Sequence, residues 1–231
     1  MSEMEGTSES ARLMNNATPK VSYINVISNL CGLIFVSTIT FVCCKDGVTL
    51  FTFHPILMSL GWILIMTTAV NAITPGDLAT EWMPIRLRSA RHWVLQLLCG
   101  FVIFLGFLAI LINKFIHDKP HFMTLHAKFG LASLIFMSIT MLGGIGALYS
   151  LKLKEYLAPI YTKLLHASFG LTTFCLGIVT ISLGLFSDWW KFGSFIQFSN
   201  LSLALVVAVL TVLRPALKIY FRLCERMENM N

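Results

Sequence analysis

Four of the six histidines lie in or at the edge of stretches otherwise free of charge, His54, His92 and His166 inside them and His126 three residues before one, whereas all 11 carboxylates lie outside those stretches. The histidines are 38, 34 and 40 residues apart. A single histidine on an apolar helix is more often a hydrogen-bonded packing residue, but four in so regular a series act as a set. A cation pump or proton relay needs acids among its buried groups, and none is available. Pairs of neutral imidazoles also make poor zinc sites, which take four ligands and usually a balancing anion. They suit an ion that arrives with its own equatorial ligands. Haem is such a group: the porphyrin supplies four nitrogens and facing helices add the axial pair. With both axial positions filled no place is left for dioxygen, so electron transfer is the chemistry predicted.

The surroundings of the histidines agree with a flat ring lying against helices. Leu125-His-Ala-Lys-Phe-Gly-Leu131 recurs as Leu165-His-Ala-Ser-Phe-Gly-Leu171, an internal repeat of period 40. Gly130 and Gly170 follow their histidines by four residues and share their helical face, where a side chain would compete with a macrocycle. Gly144 and Gly184 follow the same histidines by 18 residues. That is five helical turns, so they form bare patches on the same face about 27 Å further along. Lys128, Lys163 and Arg91, each within three residues of a histidine, are placed to meet the propionates. The six cysteines show neither metal-site pairing nor a secreted disulfide pattern and read as packing residues.

The elements that must position these residues are written in the charge distribution. Windows 21–44, 47–76, 92–113, 129–151, 164–187 and 192–213 contain no charged residue. Each meets the roughly 20 residues needed to cross a hydrocarbon core as a helix. The fold expected is therefore all-α with six transmembrane helices spanning 21–216, between a polar tail (1–20) and a basic tail (217–231). Residues 1–20 lack the apolar core of a signal peptide. A net charge of +6 has to be read by side. The two tails and the second and fourth connections hold 12 Lys and Arg against five on the opposite face. The positive-inside bias then puts both termini in the cytoplasm. Each histidine lies near the start of its own helix and successive helices alternate in direction. His54 and His126 therefore share the non-cytoplasmic side, and His92 and His166 the cytoplasmic side.

At these residues the chain resembles the cytochrome b561 family of transmembrane ascorbate-dependent reductases, in particular its short ferrireductase branch. The resemblance covers about 48 to 215 and rests on Leu50-Phe-Thr-Phe-His-Pro-Ile-Leu-Met-Ser59, Arg91-His-Trp-Val-Leu-Gln-Leu97 and the two Leu-His-Ala segments. It implies a homodimer in which the middle four helices hold two b-type haems. His54 with His126 and His92 with His166 would be the bis-histidine ligand pairs. It further implies an enzyme that passes electrons from cytosolic ascorbate to ferric iron or monodehydroascorbate on the other side. Where ascorbate-using members carry lysines shortly before the third-span histidine, this chain has Arg86, Arg88 and Arg91. These are the candidates for meeting the anionic donor, and His121, five residues before His126, is the candidate for receiving ferric iron. An endomembrane, the endoplasmic reticulum or a vesicle, is expected ahead of the plasma membrane. No nucleic-acid partner is expected.

Two other functions remain open at the level of sequence. One is a quinol-linked membrane cytochrome b. The other is a haem-free metal transporter lined by the four histidines with the loop residues His117 and His121. A structural subunit whose histidines only pack is a third possibility.

Overall fold

Six helices account for most of the described residues in the computed structural model, which describes residues 22–228 apart from Pro75 and the side chain of Arg226. The tail 1–20, with Arg12 and Lys20 of the charge count, lies outside the described residues. The helices are α1 (Tyr23–Cys44), α2 (Leu50–Asn71), α3 (Ile85–Ile116), α4 (Leu125–Leu148), α5 (Pro159–Leu185) and α6 (Ser194–Glu228). Each is long and apolar enough to cross a membrane, and among the described residues there is no strand. The protein is an all-α multi-pass membrane protein. α6 continues without a break through residue 216, where composition alone placed the end of the membrane domain.

The helix starts follow from local chemistry. Thr49 opens α2, and its N–H donates to Thr52 Oγ1 (3.0 Å), the reach-back bond of a capping box. Thr124 Oγ1 accepts the Ala127 N–H (3.2 Å) at the start of α4. Pro159 occupies the first position of α5, where its missing N–H has no helical partner to lose.

Lipid offers no hydrophobic drive between helices, so close packing and interhelical hydrogen bonds must hold the bundle. α4 packs most extensively on α5, α2 on α3, and α1 on α6. α3 and α4 barely touch. The core joins Phe35 and Ile39 of α1 to Trp62 and Ile63 of α2, Ile103 of α3, Phe174 and Ile178 of α5, and Val207 of α6. Polar ties cross it at Ser28 to Thr211 (3.0 Å) and Thr140 to Thr173 (2.8 Å).

Midway along α2 the helix widens into a π-helical turn, Leu60–Ile65. Met66 N–H closes on the Gly61 carbonyl, which also accepts the Cys99 thiol of α3 (3.2 Å). This turn aims Trp62 into α5 at Gly177, where an added Cβ would collide with the indole. Trp62 is 2% exposed and is the contact through which α2 meets α5 at the centre of the bundle.

Candidate functional site

Each of the four histidines sits within about two turns of the start of its helix, so alternation of helix direction sorts them to two ends. His54 of α2 faces His126 of α4, with ring centroids 6.1 Å apart and ring planes at 82°. His92 of α3 faces His166 of α5 at 6.2 Å and 83°. Each pair thus joins two hairpins, α2–α3 and α4–α5. About 14 or 15 residues of helix separate the two levels, or roughly 20 Å at 1.5 Å per residue.

Within each hairpin the imidazoles are anchored reciprocally. His54 Nδ1 lies 3.0 Å from the Gly106 carbonyl of α3, and His92 Nδ1 lies 2.8 Å from the Ala69 carbonyl of α2. His126 Nδ1 lies 2.9 Å from the Thr180 carbonyl of α5. The repeat of period 40 relates this contact to His166 and Thr140. Thr140 is indeed the main-chain neighbour of His166, although His166 Nδ1 is buried without a hydrogen bond of good geometry. A carbonyl only accepts, so the bonded nitrogen must carry the proton. That leaves the Nε2 lone pair to face across the bundle.

Histidines that bind a metal are held in the same way, one ring N–H donated to a carbonyl so that the other nitrogen faces the ion. An ion about 2.0–2.1 Å from each nitrogen, with roughly 1.1 Å more from nitrogen to ring centroid, puts the centroids about 6.3 Å apart. A direct hydrogen bond of about 2.9 Å between the rings would bring them nearer 5 Å. Among the described residues no three His, Cys, Asp or Glu side chains gather as a metal site, so the donor set at each level is two imidazoles. An ion held there must bring its remaining ligands, which fits haem.

The glycines make room for these rings in two ways. A Cβ on Gly184 would stand 3.1 Å from His126 Cε1, and one on Gly144 would stand 3.2 Å from His166 Cε1. The bare patches at the offset of 18 therefore receive the imidazole of the neighbouring helix. Gly130 and Gly170 are looser, their nearest neighbours being the methyls of Thr180 (3.4 Å) and Thr140 (3.7 Å). Gly106 is a close approach of α3 to α2, since a Cβ there would meet Leu57 Cβ at 3.1 Å and Met58 N at 3.3 Å.

At the His92–His166 end, the loop between α2 and α3 separates its arginines. Arg88 is tied into the loop: it pairs with Glu81 Oε2 (3.1 Å) and donates to the carbonyls of Glu81 and Met83 (2.8 Å each). Glu81 also accepts the Gly76 N–H (2.7 Å). Arg91 is half-buried and reaches the Ala79 carbonyl (3.3 Å). Arg86 is exposed, as are Lys163 at this end and Lys128 beside His126 at the other. At the other end, His121 lines a cavity of ≈ 380 Å³ with Lys114, Phe115, Asp118, Lys119 and Pro120. Its ring lies 4.8 Å from Phe115. Asp118 and Phe122 flank this stretch with φ of 49° and 54°, a left-handed backbone that is costly for phenylalanine. His117 bonds the Asn113 carbonyl of its own helix (2.7 Å).

Several residues of the site carry no signal that single-sequence reasoning uses. Gly106, Ala69, Thr140 and Thr180 act through main-chain carbonyls, which any residue possesses. Trp189 reads as a membrane-interface aromatic. Here it meets Trp190 edge to face and donates Nε1–H to the Gly184 carbonyl (2.9 Å), bracing the segment beside His126.

Comparison with known proteins bears on the same region. Residues 53–191 match the eukaryotic cytochrome b561 family. The chain is 35% identical over 150 residues to the transmembrane reductase CYB561D2 of Mus musculus, covering 64% of this chain and 67% of that protein. The Homo sapiens protein of the same name is 34% identical over the same shares. The probable transmembrane reductase CYB561D1 of Mus musculus is 25% identical over 166 residues, 72% of each chain.

Proposed function

The chain belongs to the eukaryotic cytochrome b561 family, and from that premise we propose a dihaem transmembrane oxidoreductase that carries electrons from cytosolic ascorbate to ferric iron or monodehydroascorbate on the opposite side. The observation that carries this reading is the pair of facing imidazoles at each end of the bundle, 6.1 and 6.2 Å between centroids. Two haems of b type, when bound, supply reversible one-electron couples at two depths of the membrane.

The protein's own share is to hold the ligands and to choose the reactants. Nδ1 bonds to the Gly106, Ala69 and Thr180 carbonyls keep the His54, His92 and His126 rings oriented and raise the basicity of each Nε2. The two imidazoles at each level would hold the haem and leave dioxygen no place, which favours electron transfer over dioxygen chemistry. Gly130 and Gly170 leave the face beside His126 and His166 low enough for a macrocycle. Lys128, Lys163 and Arg91 are the cations for the propionates. Arg86, exposed at the His92–His166 end, draws an anionic donor, and Arg88 shapes the loop that presents it. On the far side, His121 with Lys114 and Lys119 suits an anionic ferric chelate. The excess of basic residues on one face supports cytoplasmic termini, and family resemblance supports a homodimer in an endomembrane.

Purified protein should give the reduced-minus-oxidised bands of b-type haem with two haems per chain. Full reduction by ascorbate without quinol distinguishes this function from a quinol-linked cytochrome. Purified protein that takes up no haem would return the four histidines to metal transport or to packing.

A further inference from the structure

α6 is longer than a membrane crossing requires. Its 35 residues extend about 52 Å, whereas a hydrocarbon core takes roughly 30 Å. The charge-free part ends at Leu213, and Arg214 opens a final stretch that stays helical to Glu228. Thr211, two residues before Leu213, is bolted to Ser28 of α1 (3.0 Å). Pro215 then lacks the N–H that would bond the Thr211 carbonyl, so the helix is anchored up to this point and able to bend beyond it.

The stretch past Pro215 has a mainly basic face, which also carries Glu225 and the exposed Phe221, and an opposed apolar one. Arg214, Lys218 and Arg222 recur every four residues, a period that Arg226 continues in the sequence. At 100° per residue the opposite side carries Leu217, Tyr220, Leu223 and Met227. These are large and open to the surroundings, Tyr220 by 60% and Met227 by 59%. Leu205, Val209 and Leu213, the lipid-facing residues of the spanning part, lie on this same side of α6. The apolar stripe therefore passes unbroken from the hydrocarbon level into the extension. A bend outward at Pro215 would lay that stripe into the headgroup layer rather than against the bundle.

We propose that residues 214–228 form an amphipathic helix that docks on the adjacent membrane surface and recognises anionic glycerophospholipid headgroups. The continuity of the apolar stripe selects lipid over a protein partner. The basic row supplies the preference for negative charge, an attraction felt within a Debye length of the surface. Lys218 and Arg222 are exposed and available for it.

The test is hydrogen exchange of the full-length protein in lipid nanodiscs, one set of phosphatidylcholine and one rich in phosphatidylserine. Amides of 216–228 are expected to exchange about tenfold more slowly in the anionic discs. Lys218→Gln with Arg222→Gln should abolish that difference, with exchange of the bundle helices unchanged. Tyr220→Ser with Leu223→Ser should raise exchange of the segment in anionic discs. Equal exchange in both lipids, whether fast or slow, overturns the proposal. So does protection that appears only with two copies per disc, which makes the stripe a self-association surface, or only on adding calcium-loaded calmodulin to phosphatidylcholine discs.

Discussion

His54, His92 and His126 each have a fixed tautomer because a neighbouring helix offers the ring a carbonyl, and the ring that results has one lone pair to give. A ligand of this kind works only as half of a pair. His54→Ala and His126→Ala are therefore expected to share one spectral deficit, the loss of about half the haem, and His92→Ala and His166→Ala the other. Pyridine haemochrome quantitation with low-temperature difference spectra would check this. A deficit shared by His54 and His92 would contradict the pairing. The glycines give a sharper contrast. A methyl on Gly184 crowds the His126 ring at 3.1 Å from Cε1 and 3.2 Å from Nδ1, whereas one on Gly170 meets only the Thr140 methyl at 3.7 Å. Gly184→Ala should lower occupancy of the His54–His126 level, and Gly170→Ala should leave haem content unchanged. A longer side chain at Gly170, as in Gly170→Leu, is expected to lower occupancy by taking the macrocycle's space. Occupancy insensitive to Gly184→Ala would show that the ring can move aside.

At the scale of elements, the α2–α3 and α4–α5 hairpins meet through a small contact, and the π-helical turn of α2 is what brings Trp62 to it. Gly177→Ala places a methyl inside the indole's position, and such overpacking costs about 1–3 kcal/mol. Trp62→Phe removes part of the obstruction, so the double variant should recover stability relative to Gly177→Ala alone. A double-mutant cycle on thermal unfolding in detergent measures this coupling, and additive losses would exclude it. Neither partner was legible beforehand. Trp62 sits in an apolar run whose sequence says helix, and a π turn has no local signature, because it arises where packing against α3 and α5 demands another register. The spans themselves were legible, because lipid excludes charge and the six charge-free windows each became one helix. The four histidines were legible for a related reason: ionisable groups are rare at that depth. Their carbonyl partners were not, since main-chain acceptors depend on which helices touch. Arg88 shows the same limit from the other side. Its position beside Arg86 suggested a shared role, but Glu81 and two carbonyls hold it in the loop.

For the whole molecule, the two imidazole levels and the asymmetry of charge together give the protein a direction. Arg86 is exposed where Arg88 is occupied, so charge removal at the two sites should act differently. Arg86→Gln is expected to slow reduction by ascorbate several-fold, an effect that shrinks as ionic strength rises and screening shortens the reach of the field. Arg88→Gln loses a charged group with three hydrogen bonds and should lower thermal stability by on the order of 1–3 kcal/mol, with any kinetic loss independent of salt. Stopped-flow reduction at several salt concentrations, beside thermal melts, separates the two. Direction is tested in sealed vesicles of known orientation loaded with ascorbate, with a ferric chelate outside. External reduction should require all four histidines. It should also fall in His121→Ala without any change in the haem spectrum, because His121 lines the cavity near the exit level and holds no ring in place. If the chelate is reduced equally well without internal ascorbate, the electron does not cross from the basic face, and vectorial transfer through the two levels is excluded.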